Sequence, residues 1–197
     1  TNSGTIINCF NGATVTASTT GAGIAAYNFD AYKYAPDGSD CDYDLIEAGE
    51  IINCYNLGEI VNSGGLAMLG GITTQSGSVI SCYNAAAVED GAPIAVVPQS
   101  IQDCYFDRYY YEDEAGFYSV YMVGENSLTH ENLLYNALAA STPDVWVQPA
   151  NDEHAWYYPQ LKVFYDNGNY PYSRNVYAIE IDFDNDQPNI MKHALES

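Results

Sequence analysis

A six-residue phrase centred on cysteine occurs four times in the first half of the chain, and it limits the possible folds more than any other feature. The copies are Ile6-Ile7-Asn8-Cys9-Phe10-Asn11, the stretches 51–56 and 79–84, and a degenerate copy at 101–106. The third residue before each cysteine is Ile or Val, the residue before it is Asn, Ser or Asp, and the residue after it is aromatic. Short β-type phrases recurring every ~20–50 residues are typical of a stacked repeat array.

The spacing between a second apolar position and the next phrase locates an insertion. This spacing is seven residues from Ile72 to Val79, and seven again in the following unit. In the first unit it is 27 residues, from Ile24 to Ile51, so 20 additional residues lie at about 28–47. The repeat therefore predicts an all-β fold, a short right-handed parallel β-solenoid of three to four coils. Its handedness is taken from fold-level analogy.

The cysteines are predicted to be structural. In a stack, each position lies above its equivalent in the next coil, so Cys9, Cys54, Cys82 and Cys104 should form a buried ladder of small hydrophobic side chains. Disulfides between neighbouring rungs remain an alternative, because they require the side chains to point at each other. No CxxC pair supports a zinc site, and the role of Cys41, within the insertion, stays open.

The sequence divides into two predicted regions. Residues 1–108 form the β-solenoid repeats, and residues 109–197 form a small mixed α/β cap. Within the cap, an apolar pattern preceded by Thr129 predicts one short helix at about 129–140, and short strands are predicted around it, including 159–165. The cap would cover one end of the stack, and the tail beyond Asp184 is expected to be polar and mobile.

The charge balance excludes several classes of partner. The chain has 26 acidic and 5 basic residues, for a net charge of -21. So few cations argue against binding to nucleic acid or to an anionic lipid surface. No segment approaches the ~18 apolar residues of a membrane span. The composition fits a secreted or cell-surface protein, which we expect to begin after a signal peptide or within a longer parent. The acidity serves either solubility or the recruitment of divalent cations.

Two carboxylate runs are candidate metal ligands. Asp40, Asp42 and Asp44 alternate in the insertion, and a second run lies at 182–186. Carboxylates on a loop can converge on calcium, which prefers about six to eight oxygens. In a strand, the same spacing would simply place three carboxylates on one wet face. The sequence thus predicts calcium as the one possible cofactor, and it does not indicate that the protein requires any cofactor.

The tyrosines provide a candidate ligand-binding face, made of Tyr32 and Tyr34 in the insertion together with Tyr109, Tyr110 and Tyr111. Exposed aromatic rings beside carboxylates can stack on sugar rings and bond their hydroxyls. The alternative is that these rings pack the insertion and the cap onto the stack. No catalytic residues are assigned, since the chain lacks the common nucleophile, P-loop and dinucleotide motifs. Glycoside hydrolysis by paired carboxylates is the least favoured reading.

The phrases NCYN-xG-x-[IV] and LGGIT–G-x-[VI]-xx-CYN resemble the GLUG-motif repeats of bacterial cell-surface and secreted proteins, over residues 4–107. This resemblance implies an extracellular, adhesin-like repeat protein and carries no catalytic residues. We therefore expect a module for adhesion or ligand binding, with a glycan or a host surface protein as the partner. The alternative is a purely structural spacer or a self-assembling surface unit within a larger assembly.

Overall fold

The computed structural model describes residues 4–28, 49–107, 110–111, 126–128, 131–148, 158–166, 178–182 and 189–193. The strands of the repeat region are β1 (Ile6–Ile7), β2 (Phe10–Asn11), β3 (Val15–Ala17), β4 (Thr20–Ala22), β5 (Ala25–Asn28), β6 (Glu50–Ile52), β7 (Tyr55–Asn56), β8 (Ile60–Asn62), β9 (Met68–Gly70), β10 (Thr73–Ile80), β11 (Tyr83–Asn84), β12 (Ala95–Gln102) and β13 (Tyr105–Asp107). The later elements are β14 (Asn126–Leu128), α1 (Glu131–Ser141), β15 (Trp146–Val147), β16 (Gln160–Leu161), α2 (Lys162–Tyr165), β17 (Ala178–Asp182) and β18 (Asn189–His193).

The fold is mostly β, and the strands of the repeat region form parallel sheets. The first sheet has the order β1-β6-β10-β12, with β5 also paired to β10. Within it Ile6 lies opposite Ile51, Ile51 opposite Val79, and Val79 opposite Ile101. These are the residues three positions before the repeat cysteines, so equivalent positions of successive repeats are hydrogen-bonded neighbours.

A second parallel sheet contains the aromatic residue of each repeat. Its order is β14-β13-β11-β7-β2, and in it Phe10, Tyr55, Tyr83 and Tyr105 lie side by side. Shorter parallel pairs, β3-β8 and β4-β9, connect the first two repeats further along the chain. We call β1–β13 together the stack, and we call the edge formed by β1–β5 the first edge.

In each repeat, a residue with left-handed backbone conformation lies at the turn between the first sheet and the second. Asn8, Asn53, Ser81 and Asp103 have φ angles of 54°, 52°, 50° and 50°. Asn and Asp tolerate this conformation better than most residues, because their short polar side chains can bond locally. This backbone requirement explains why the residue before the repeat cysteine is Asn or Asp in three of the four copies.

The core fills the space enclosed by the sheets and the space beneath the C-terminal elements. One buried cluster contains Ile51, Ile72, Val79, Ile94 and three of the repeat cysteines, and Cys9 packs against it. A second surrounds the column of aromatic rings, where α1 contributes Leu134 and Leu138, and β15 and β16 contribute Trp146 and Leu161. Full burial of such a side chain is worth roughly 1.5–3 kcal/mol, so α1, β15 and β16 are anchored along the flank of the stack.

The C-terminal region can be compared with the sequence prediction in three places. The helix runs from Glu131 to Ser141 in the described residues, and the sequence predicts about 129–140. The predicted strand at 159–165 is only two residues long, and residues 162–165 form the single helical turn α2. The Lys162 amide donates to the Val145 carbonyl oxygen at 2.8 Å, which continues the antiparallel pairing of β15 and β16. The tail beyond Asp184 contains β18, which pairs antiparallel with β17. No helix in the described ranges is long and apolar enough to cross a membrane.

Candidate functional site

The four repeat cysteines lie one above another at the corner of the stack. The main-chain N–H of Cys9 donates to the Cys54 sulfur at 3.4 Å, and that of Cys54 donates to the Cys82 sulfur at 3.3 Å. All four thiols are free, and all except Cys9 are buried. Burial raises the pKa of the Cys82 thiol, which keeps it neutral at pH 7. Among the described residues, no group of three His, Cys, Asp or Glu side chains is placed to hold a metal.

A second ladder runs through the asparagines two positions after the cysteines. Asn11 Nδ2 donates to Asn56 Oδ1 at 2.8 Å, and Asn56 Nδ2 donates to Asn84 Oδ1 at 2.7 Å. Each Nδ2 also donates to the carbonyl oxygen two residues later in its own repeat, at 2.7–2.8 Å. Asn56 and Asn84 are fully buried. The sequence repeats these asparagines in three copies of the phrase, but the sequence analysis did not single them out.

Tyr111 ends the asparagine ladder. The fourth repeat has Phe106 opposite Asn84, where an asparagine would continue the series. In its place, Asn84 Nδ2 donates to the Tyr111 hydroxyl at 2.8 Å, and that hydroxyl donates to the Ala86 carbonyl oxygen at 2.8 Å. Tyr111 is only 6% exposed. Its ring and hydroxyl therefore pack and bond inside the protein, and its ligand-binding assignment stays a prediction.

The first edge of the stack exposes residues whose equivalents in the next repeat are buried. In the described chain, each of β1–β5 is paired on one side only. Ile6 and Phe10 are partly exposed, whereas their partners Ile51 and Tyr55 have no exposed surface. Ile7, on the outer side of β1, is 51% exposed. At the first edge, residue positions that are buried in the next repeat are therefore partly exposed.

A cleft of about 330 Å³ lies between the corner at Asn8 and the elements around α2. It is lined by Asn8, Asp144, Val145, Leu161, Lys162, Val163 and Asp166. Its polar groups are an amide, an ammonium and two carboxylates, and apolar side chains form the rest of the wall. The Asn8 Oδ1 atom is buried and has no hydrogen-bond partner. The volume is at the lower end of the ~300–1,000 Å³ found for small-molecule sites.

Most of the predicted ligand and metal residues fall outside the described ranges. Tyr32, Tyr34, Tyr109, Cys41 and the run Asp40, Asp42 and Asp44 all do so. Tyr110 is described and partly exposed, and it lies against the small buried cluster that contains Tyr111. The calcium and sugar-binding assignments therefore remain predictions.

The flanks of segment 29–48 meet inside the first sheet. The Gly49 amide donates to the Asn28 carbonyl oxygen at 3.1 Å. Both flanks pair with the same strand, since Asn28 lies opposite Ser76 and Glu50 lies opposite Ser78. The segment consequently leaves and re-enters the sheet at one point, opposite Gly77, and interrupts what would otherwise be one continuous strand.

Comparison with known proteins gives no relative. No family model matches the chain, and no curated protein or solved structure matches it at a significant level.

Proposed function

We propose that the chain is a GLUG-type β-solenoid module of an extracellular or cell-surface bacterial protein, and that its main role is structural. In this role the stack is a rigid scaffold, and segment 29–48 is an insertion between two of its strands. The observation that carries the proposal is the asparagine ladder, in which the buried amide groups of one repeat bond to those of the next. A side chain whose hydrogen bonds are all made within the stack is suited to support rather than to catalysis.

The flanks of segment 29–48 support the idea of a carrier. If residues 29–48 are removed and Asn28 is joined to Gly49, β5 and β6 become one strand of eight residues. This length equals that of β10 and of β12. The interrupted strand would then match its neighbour residue for residue, so the stack should not need the segment for its own stability.

Deletion of residues 29–48 tests the structural role. The deletion variant should unfold cooperatively, with a Tm within a few degrees of the intact chain, because every strand described in the stack is kept. The matched control replaces the same residues with a flexible Gly/Ser linker of equal length, which separates the effect of the segment's own contacts from that of loop closure. If the deletion variant does not unfold cooperatively, the scaffold proposal is contradicted, whether or not the linker control is folded.

Ligand binding is the second candidate, and two observations favour it: the insertion of segment 29–48 between the paired strands β5 and β6, and the cleft beside α2. The ligand class remains a glycan or a host surface protein, with calcium as a proposed ligand of Asp40, Asp42 and Asp44. A glycan panel read with calcium and then with chelator tests it on the intact chain and on the deletion variant. Binding lost with the segment assigns the site to residues 29–48. Binding that survives deletion but is lost in Asp144→Asn/Asp166→Asn assigns it to the cleft.

A further inference from the structure

We infer that the first edge is a docking surface for one more repeat unit of the same chemistry, contributed by a partner polypeptide segment rather than by a second copy of this chain. The inference rests on the proposed scaffold function and names the partner that extends it. The interface would continue, with the same strand register, the one that already joins the first two repeats of the chain.

The direction of the two ladders defines what the partner must supply. Asn56 Oδ1 accepts two hydrogen bonds, one from the Gly58 amide and one from Asn11 Nδ2. Among the described residues, Asn11 Oδ1 accepts only the first kind, from the Ala13 amide at 3.1 Å. A carbonyl oxygen has two lone pairs, so no described residue fills the second acceptor position at the first edge. The Cys9 sulfur likewise receives no main-chain donor from the described part of the chain, whereas the Cys54 sulfur does. A docking unit must therefore present a side-chain amide donor to Asn11 Oδ1 and a backbone N–H to the Cys9 sulfur.

Charge distribution supports the same surface. Residues 1–29 contain no Asp, Glu, Lys or Arg, although the chain as a whole has 31 of them. Natural proteins usually protect an exposed strand edge with charged residues or proline. The first edge has neither in β1–β5. An uncharged, partly apolar edge on a protein with net charge -21 is suited to being covered.

The opposite end of the stack explains why the partner is not another copy. There, Tyr111 replaces the next asparagine, and β12 contains Pro98, which cannot donate to a neighbouring strand. A head-to-tail copy would bring this closed end to the first edge without the required amide. A head-to-head copy would place one Asn11 acceptor against another. Two chains of charge -21 would also repel each other.

The experiment adds one repeat to the full chain, by replacing residues 1–5 with an extra copy of residues 51–78. The added Ile51 then precedes Ile6 by 28 residues, the same spacing that separates Ile51 from Val79. Hydrogen exchange is measured by mass spectrometry on peptides covering 6–28. Exchange there should slow by at least about tenfold, and the Tm should rise, because the first edge becomes an interior layer. The control carries Asn56→Leu in the added copy only, and it should lose most of this protection.

Three results would overturn the inference. Unchanged exchange at 6–28 in the extended chain would show that the first edge does not accept a repeat. Equal protection by the Asn56→Leu control would show that the amide donor is not required. Dimers of the natural chain in light scattering, with 6–28 already protected, would identify a second copy as the occupant. None of these results alters the stability of the 29–48 deletion variant, so the scaffold proposal is judged separately.

Discussion

Replacing Asn56 with Asp changes one nitrogen to oxygen at the centre of the asparagine ladder. Asn56 Nδ2 donates to the Gly58 carbonyl oxygen at 2.8 Å and to Asn84 Oδ1 at 2.7 Å. An aspartate oxygen at that position would face two acceptors and donate to neither. The other side-chain oxygen would keep its donors, Asn11 Nδ2 and the Gly58 amide. The substitution therefore tests the hydrogen-bond direction of the ladder with almost no change of volume.

The expected cost has a constant part and a pH-dependent part. Each buried acceptor left without a donor costs about 1–3 kcal/mol. Burial and the two opposing oxygens raise the pKa of the new carboxyl in the folded state above its ordinary value of about 4. Because the folded-state pKa is raised, the protonated form is favoured by folding, and stability falls as pH rises above ~4, by about 1.4 kcal/mol per pH unit. If the pKa of the new carboxyl rises by about three units, the loss of folding stability near pH 8 increases by ~4 kcal/mol, a large share of the ~5–15 kcal/mol stability of a typical domain.

Urea unfolding of Asn56→Asp and the natural chain at pH 5.5 and pH 8.0 measures both parts. At the lower pH a larger fraction of the carboxyl is protonated and can donate to Asn84 Oδ1, so the difference in free energy of unfolding should be smaller there. Asn11→Asp is the matched control. Asn11 is partly exposed at the first edge, so water can solvate its charge, and the loss should be about 1 kcal/mol with little pH dependence. A difference for Asn56→Asp that is below ~1 kcal/mol, or independent of pH, would refute the ladder.

Two further predictions concern the buried columns. Burial raises the pKa of Tyr55, Tyr83 and Cys82 in the folded state. Their contribution to stability is therefore complete below about pH 9 and is lost as pH rises further, by up to ~1.4 kcal/mol per pH unit for each group. Urea midpoints measured from pH 8 to pH 11 should fall, and they should fall less steeply in Tyr83→Phe; a flat profile would contradict this burial. Cys82 is fully buried, whereas Cys9 is at the first edge. Cys82→Ala should therefore lower the free energy of unfolding by about 1–3 kcal/mol, and Cys9→Ala by less than 1 kcal/mol. Equal losses of stability in thermal unfolding would show that the two thiols occupy similar environments.

The register of the stack follows from the sequence because a parallel pair places like residues together. Aligning Ile51 with Val79 in the sequence aligns them in the first sheet, and the same holds for the aromatic residues in the second. The asparagine ladder was equally accessible in principle. Asn11, Asn56 and Asn84 recur at a fixed distance from the cysteines, and only the fourth copy departs from the pattern.

Contacts between distant segments could not be predicted in this way. Tyr111 belongs to a run of three tyrosines that resembles an exposed aromatic patch, and only the path of the chain after β13 brings its hydroxyl to Asn84. The Tyr55 hydroxyl donates to Gln160 Oε1 at 2.7 Å across 105 residues of sequence. The cleft likewise combines Asn8 with residues from 144–166. No periodicity connects these positions, since the cap is not part of the repeat.

The two ends of the stack differ for reasons that can be traced to a few residues. A stack with two equivalent open ends would form a heterologous contact that repeats without closing, which leads to fibres. Phe106 in place of asparagine, Tyr111 beneath it and Pro98 in β12 close one end, and the uncharged strands β1–β5 leave the other able to pair. Addition is then possible at one end only, and each added unit must carry the amide that this chain lacks at its closed end. A stack built in this way can accept a further repeat from a partner polypeptide, while identical copies of the chain do not polymerise.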